Sequence, residues 1–159
     1  MNGSPGLRRT TVNDLAVPFA LVGGAVYVLL RFSYSSLPPL KVLIAAPLAA
    51  LAAAEFVAAR RVRAAVRHDP NAKVMAAIVI ARCVALGKAS SLVGAGVAGA
   101  AAALLIRLVP DLGQVDVAGH DAIVAAFVLG SAGLIVGAGL LLERAGVDPG
   151  NDDSPRPRA

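Results

Sequence analysis

GKASSLVGAGVAGA, residues 87–100, contains a literal G-x-G-x-x-G: Gly94-Ala95-Gly96-Val97-Ala98-Gly99. In a dinucleotide-binding turn this pattern follows a strand and opens a helix. An acidic residue then stands some 20 positions further on, at the ribose. None of that context is present. Val84 to Val93 read as one continuous apolar helix leading into the glycines, and the next acidic residues lie beyond Pro110. A different spacing organises the stretch. Ser90, Gly94, Ala98 and Ala102 recur every fourth residue, as do Gly87, Ser91, Ala95, Gly99 and Ala103. Small residues at that interval let helix backbones approach closely in lipid. The glycines are therefore read as helix-packing residues, and no cofactor is expected.

The rest of the chain agrees with a membrane helix. Hydrophobic residues are 57% of the 159, aromatics 4%, and Trp is absent. The mean hydropathy of +0.73 thus comes from Ala, Val, Leu and Gly. Soluble domains are about 45–50% apolar. Spans of about the 20 apolar residues needed to cross a bilayer are expected at 15–32, 42–59 and 122–142. The apolar run from Val74 to Val109 is longer, about 50 Å at ~1.5 Å per residue, and holds Arg82 and Lys88. Its span is placed at 89–108, with Val74–Lys88 a helical extension on the cytoplasmic side. Arg82 at mid-membrane would instead cost ~2.5–3.5 kcal/mol.

The connections suit helices. Ser35-Ser36-Leu37-Pro38-Pro39 and His68-Asp69-Pro70-Asn71 break the chain, because a residue before proline is pushed out of the helical region. Pro110 closes the third span. Gly119-His120-Asp121 is expected to precede the fourth, with Asp121 capping free amides. The reading is an all-α integral membrane protein of four transmembrane helices. Residues 1–11 form an N-terminal tail, 12–143 the membrane domain, and the polar, proline-rich 144–159 a disordered tail.

With four spans, both termini and the central loop share one side. That side carries Arg8, Arg9, Arg60, Arg61, Arg63, Arg67, Lys73, Arg82, Lys88, Arg144, Arg156 and Arg158, while Arg31, Lys41 and Arg107 lie opposite, twelve against three. Positive-inside bias makes the termini cytoplasmic. The pI near 10.1 then reflects an anionic inner leaflet, with no nucleic-acid partner required. A cleaved signal peptide competes for the first span, since Arg8-Arg9 resembles an n-region and Ser33-x-Ser35 a cleavage site. The apolar run exceeds a usual h-region, however, and Asp14 stands at its entrance.

Few residues offer chemistry. Cys83 is the single cysteine, and no metal-site spacing is present. Asp111, Asp116, His120 and Asp121 match no liganding template. No nucleophile–base pair or phosphate loop survives inspection, so an enzyme is not expected. Arg60, Arg63 and Arg67 share a helical face and are expected at lipid headgroups or against an acidic partner. Gly133-x-x-x-Gly137 is a second packing motif beside Ser90, Gly94 and Ala98. Glu55 and Lys88 are ionisable groups inside the second span and at the start of the third. They are a candidate intramembrane polar pair, a snorkelling pair, or a functional site.

Several pieces carry a family resemblance. These are Arg31-Phe32-Ser33-Tyr34 before Leu37-Pro38-Pro39, Ala54-Glu55 leading to Arg60, Val62-Arg63-Ala64, and Ala81-Arg82. The longest runs from Ala85 to Ala95, and Leu142-Glu143-Arg144 closes the set. Together they resemble the actinobacterial four-span membrane family catalogued as domain of unknown function 3180, over about Val12 to Pro149. Gly87, where relatives tend to have Ala, and Ala145-Gly146, where a Cys pair is common, depart from it. The resemblance implies a plasma-membrane protein without assigned activity. The expected role is a non-catalytic assembly or interaction partner, in contact with lipids and with another membrane protein or further copies of itself. The alternative is a small transporter or lipid-handling protein using Glu55 and Lys88.

Overall fold

A computed structural model of the chain describes residues 10–33, 43, 45–67, 75–111 and 116–146. Four helices carry the fold: α1 (Val12–Ser33), α2 (Ala45–Val66), α3 (Ala77–Leu108) and α4 (Asp116–Ala145). Of the expected tail 144–159, Arg144 and Ala145 belong instead to α4; its part beyond 146, and the two proline breaks after α1 and α2, lie outside the described residues.

α1 starts with a local cap. The Asp14 carboxylate accepts hydrogen bonds from the Thr11 backbone N–H and hydroxyl, each at 2.8 Å, while the Asp14 N–H donates to the Thr11 carbonyl at 3.0 Å. Otherwise unpaired groups at the helix start are thereby satisfied. α3 ends where Pro110 enters a 3₁₀ turn, Val109–Asp111. α4 begins at Asp116, so Gly119, His120 and Asp121 are inside the helix. The expected cap at Asp121 is therefore wrong. Its side chain is buried in the second turn, beyond the orphan amides that a cap serves.

The helices stand in the row α1–α3–α4–α2, with α3 and α4 the inner pair and little contact between α2 and α3. α3 takes the inner place because it is thin on two sides. Ser90, Gly94 and Ala98 are all buried, as are Gly87, Ser91, Ala95, Gly99 and Ala103. A Cβ on Gly94 would meet Ile135 and Val136 of α4 at 3.1 Å, whereas one on Gly96 would meet Val22 of α1 at 3.3 Å. Gly99 lies directly against the backbone of Phe19. The G-x-G-x-x-G thus divides its glycines between two neighbouring helices, within one uninterrupted helix.

Three helices are long and apolar enough to cross a membrane: Val12–Phe32, Ala77–Leu108 and Ala118–Ala145. α2 does not reach that standard over its described residues. Every stretch of 18 residues within it includes Glu55, Arg60 and Arg61. α3 is one continuous helix from Ala77 through Lys88 to Leu108.

The end of the bundle at which Thr10 and Gly146 lie is closed by a small cluster of Ala59, Val62, Leu142 and Ala145. Val66, Met75, Ile80 and Cys83 pack around it. α2, α3 and α4 therefore meet at this end, and Thr10 joins α1 to it through a bond to α4.

Candidate functional site

The polar side chains worth reading are those the apolar helices enclose. Glu55 projects from α2 one turn above Ala59 and is 2% exposed. Neither of its carboxylate oxygens has a hydrogen-bond partner. Lys88 is half-buried on α3, five residues above Cys83 of the same terminal cluster. At ~1.5 Å per residue the two stand about 6 and 7.5 Å above that cluster, close to one height. They share a level without sharing a hydrogen bond. The sparse contact between α2 and α3 accounts for this, since both helices pack on α4 instead.

Directly beside Lys88, α3 and α4 nearly touch. A Cβ on Gly87 would lie 2.6 Å from the Gly139 carbonyl oxygen, and one on Gly139 would lie 2.5 Å from the Gly87 carbonyl oxygen. Ser91 is wholly buried in the same seam and donates its hydroxyl to the Lys88 carbonyl at 2.9 Å. That bond satisfies the hydroxyl inside its own helix, so a polar residue can sit where no cross-helix partner is available.

Gly133 and Gly137, expected to pack, meet no neighbour among the described residues. The space where their Cβ atoms would stand is open, as it is at Gly130. These three glycines form an unoccupied face on α4, turned away from the seam that Gly139 makes. Sequence spacing identifies a packing motif but not its angle around the helix, and Gly139 was the residue that the α3 contact needed.

The basic face of α2 lies as expected, with Arg60, Arg63 and Arg67 exposed while Val62 between them is buried. The Arg60 guanidinium stands over the Phe56 ring, 4.5 Å from its centroid. Such stacking holds the cation beside an apolar surface. Among the described residues, no group of three or more His, Cys, Asp or Glu side chains could hold a metal ion.

One buried acid was not singled out from the sequence. Glu143, in the last turn of α4, is 6% exposed. Its Oε1 accepts the Thr10 backbone N–H at 2.7 Å, across 133 positions of chain. Its Oε2 and the Thr10 hydroxyl are buried without a partner. An acid beside Arg144 at the end of an apolar helix reads as a solvated terminus. Only the return of Thr10 from the far end of the chain encloses it.

A family profile described as "Protein of unknown function (DUF3180)" matches residues 15–149. The chain belongs to the DUF3180 family. The match takes in all of α2, α3 and α4 and most of α1, so the row of helices is the family's shared portion in this chain. Among curated proteins and among solved structures, nothing matches this DUF3180 chain.

Proposed function

We propose that this DUF3180 protein is a multi-pass plasma-membrane protein, with both termini cytoplasmic, that acts as a non-catalytic assembly or interaction partner. The observation carrying this reading is the open glycine face of α4, Gly130, Gly133 and Gly137. The chain's own fold leaves that face unused. Small residues on a lipid-facing surface allow a second helix to approach as closely as α3 approaches Gly139. The closed seam around Ser91 supports the same reading. Gly137→Leu is expected to leave thermal stability of the protomer within ~0.5 kcal/mol, while shrinking the complex extracted from membranes in mild detergent. A wild-type chain that already migrates as a lone protomer would sink the proposal.

The orientation has its own test. In a Cys83→Ser background, a cysteine at position 114 should react with an impermeant thiol reagent in intact cells, and one at position 65 should not. The reverse pattern would invert the topology drawn from the charge bias.

A second reading, a small transporter or lipid-handling protein, is favoured by the enclosed carboxylate of Glu55. An ionisable group enclosed in a membrane helix is costly to keep there, which makes it a candidate for a transport pathway or ligand site.

A further inference from the structure

We infer that Thr10 and Glu143 form a site for the primary ammonium headgroup of an aminophospholipid, at the end of the bundle where Thr10 and Gly146 lie. Four observations converge there.

Glu143 is more than nine-tenths buried, and its Oε2 has no partner. A buried carboxylate oxygen left unpaired calls for a donor, and a charged donor satisfies it best. The Thr10 hydroxyl oxygen, carried by the same residue that bonds Oε1, is also buried and unpartnered. The locus therefore offers two oxygens to an incoming N–H group. Glu143 also lies in the last turn of α4, where the helix carries its partial negative charge. Acid and helix end both favour a cation. Finally, the apolar run of α4 ends at Ala145, so the site is level with the zone where headgroups lie.

The surroundings select among cations. An alkali ion wants several oxygens, and the unpartnered side-chain oxygens here among the described residues are two, Glu143 Oε2 and Thr10 Oγ1. A primary ammonium brings three N–H donors of its own. Arg144 follows Glu143 directly and is exposed. Its guanidinium, one residue after the acid, is a donor available to the phosphate of a zwitterionic headgroup whose amine the Glu143 carboxylate accepts. Entry requires little rearrangement of the bundle. Thr10 precedes α1, whose first turn is held independently by Thr11 and Asp14. A small shift of Thr10 that opens the way breaks no helical bond and can be reversed once the amine is seated, restoring its bond to Glu143 Oε1.

This site is separate from the proposed association face on α4 and stands or falls without it. The test uses the full chain reconstituted in phosphatidylcholine vesicles, with and without phosphatidylethanolamine. After mild extraction, bound lipid is read by native mass spectrometry. Phosphatidylethanolamine should be retained about tenfold over phosphatidylcholine, the factor that ~1.4 kcal/mol represents. Glu143→Gln should abolish that preference while the circular dichroism of the helices is unchanged. Thr10→Ala, which keeps the backbone bond to Oε1, should reduce it by a smaller factor and serves if Glu143→Gln fails to fold. Equal retention of both lipids by the wild type would overturn the inference. So would a preference that survives Glu143→Gln, or one that Thr10→Ala leaves undiminished. Thermal stabilisation by free ethanolamine or sodium chloride equal to that by the lipid would show a simple cation site and reject the headgroup assignment.

Discussion

Gly87→Leu is expected to cost the folded bundle about 3 kcal/mol or more, at the upper end of overpacking effects. The added Cβ would lie 2.6 Å from the Gly139 carbonyl oxygen, 3.0 Å from the Leu142 Cβ and 3.1 Å from the Glu143 amide nitrogen. Two of these three obstacles are backbone, which cannot turn aside as a side chain does. α3 and α4 would have to separate along the seam that makes them the inner pair. Thermal unfolding in detergent measures the effect, with Gly137→Leu as control because its Cβ meets nothing. A small loss at Gly87, equal to that at Gly137, would mean that the close approach is not energetically important.

Glu55→Leu is expected to act in the opposite direction and raise stability by roughly 1–3 kcal/mol, the usual cost of a buried polar group without a partner. The substitution exchanges two unpartnered oxygens for methyl groups, among Ala-rich surroundings on α2 and α4. Because no hydrogen bond joins Glu55 to Lys88, the gain should be the same in a Lys88→Met background within about 0.5 kcal/mol. A loss of stability, or strong coupling between the two sites, would show that a pair forms in the bilayer and would restore direct pairing. A stable Glu55→Leu protein that fails in the cell would shift the choice towards the transporter or lipid-handling reading.

The helices were legible because their signals are local. Apolar length, the Pro110 stop and the small-residue rows around Ser91 all act within a few turns of chain, so α1, α3 and α4 could be placed from composition and spacing. The inner position of α3 was foreshadowed by its two small-residue rows, both of which are buried. What remained hidden depends on angle and on distant chain. Gly133 and Gly137 share a motif with Gly94 but face open space, and Gly139, two residues on, makes the contact. Glu55 and Lys88 were singled out as ionisable groups among apolar neighbours, and Glu55 is buried. Their relation turned on the order of helices in the row, which hydropathy does not encode. Glu143 was read only as part of a motif at a helix end, since the residue that covers it lies near the other terminus.

The row α1–α3–α4–α2 differs from the order in which a ribosome delivers the helices. α1 finds its neighbour as soon as α3 has been made. α2 is finished earlier than α3, yet its main contact surface, on α4, emerges last. Until then Ala52, Glu55, Ala59 and Val62, the face of α2 that the finished fold buries, have no permanent cover. Domains generally begin folding from the N-terminal side during synthesis. Here the second helix must wait for the fourth, and the least apolar segment is the one held in suspense. Assembly of the nascent chain thus closes from its last helix backwards.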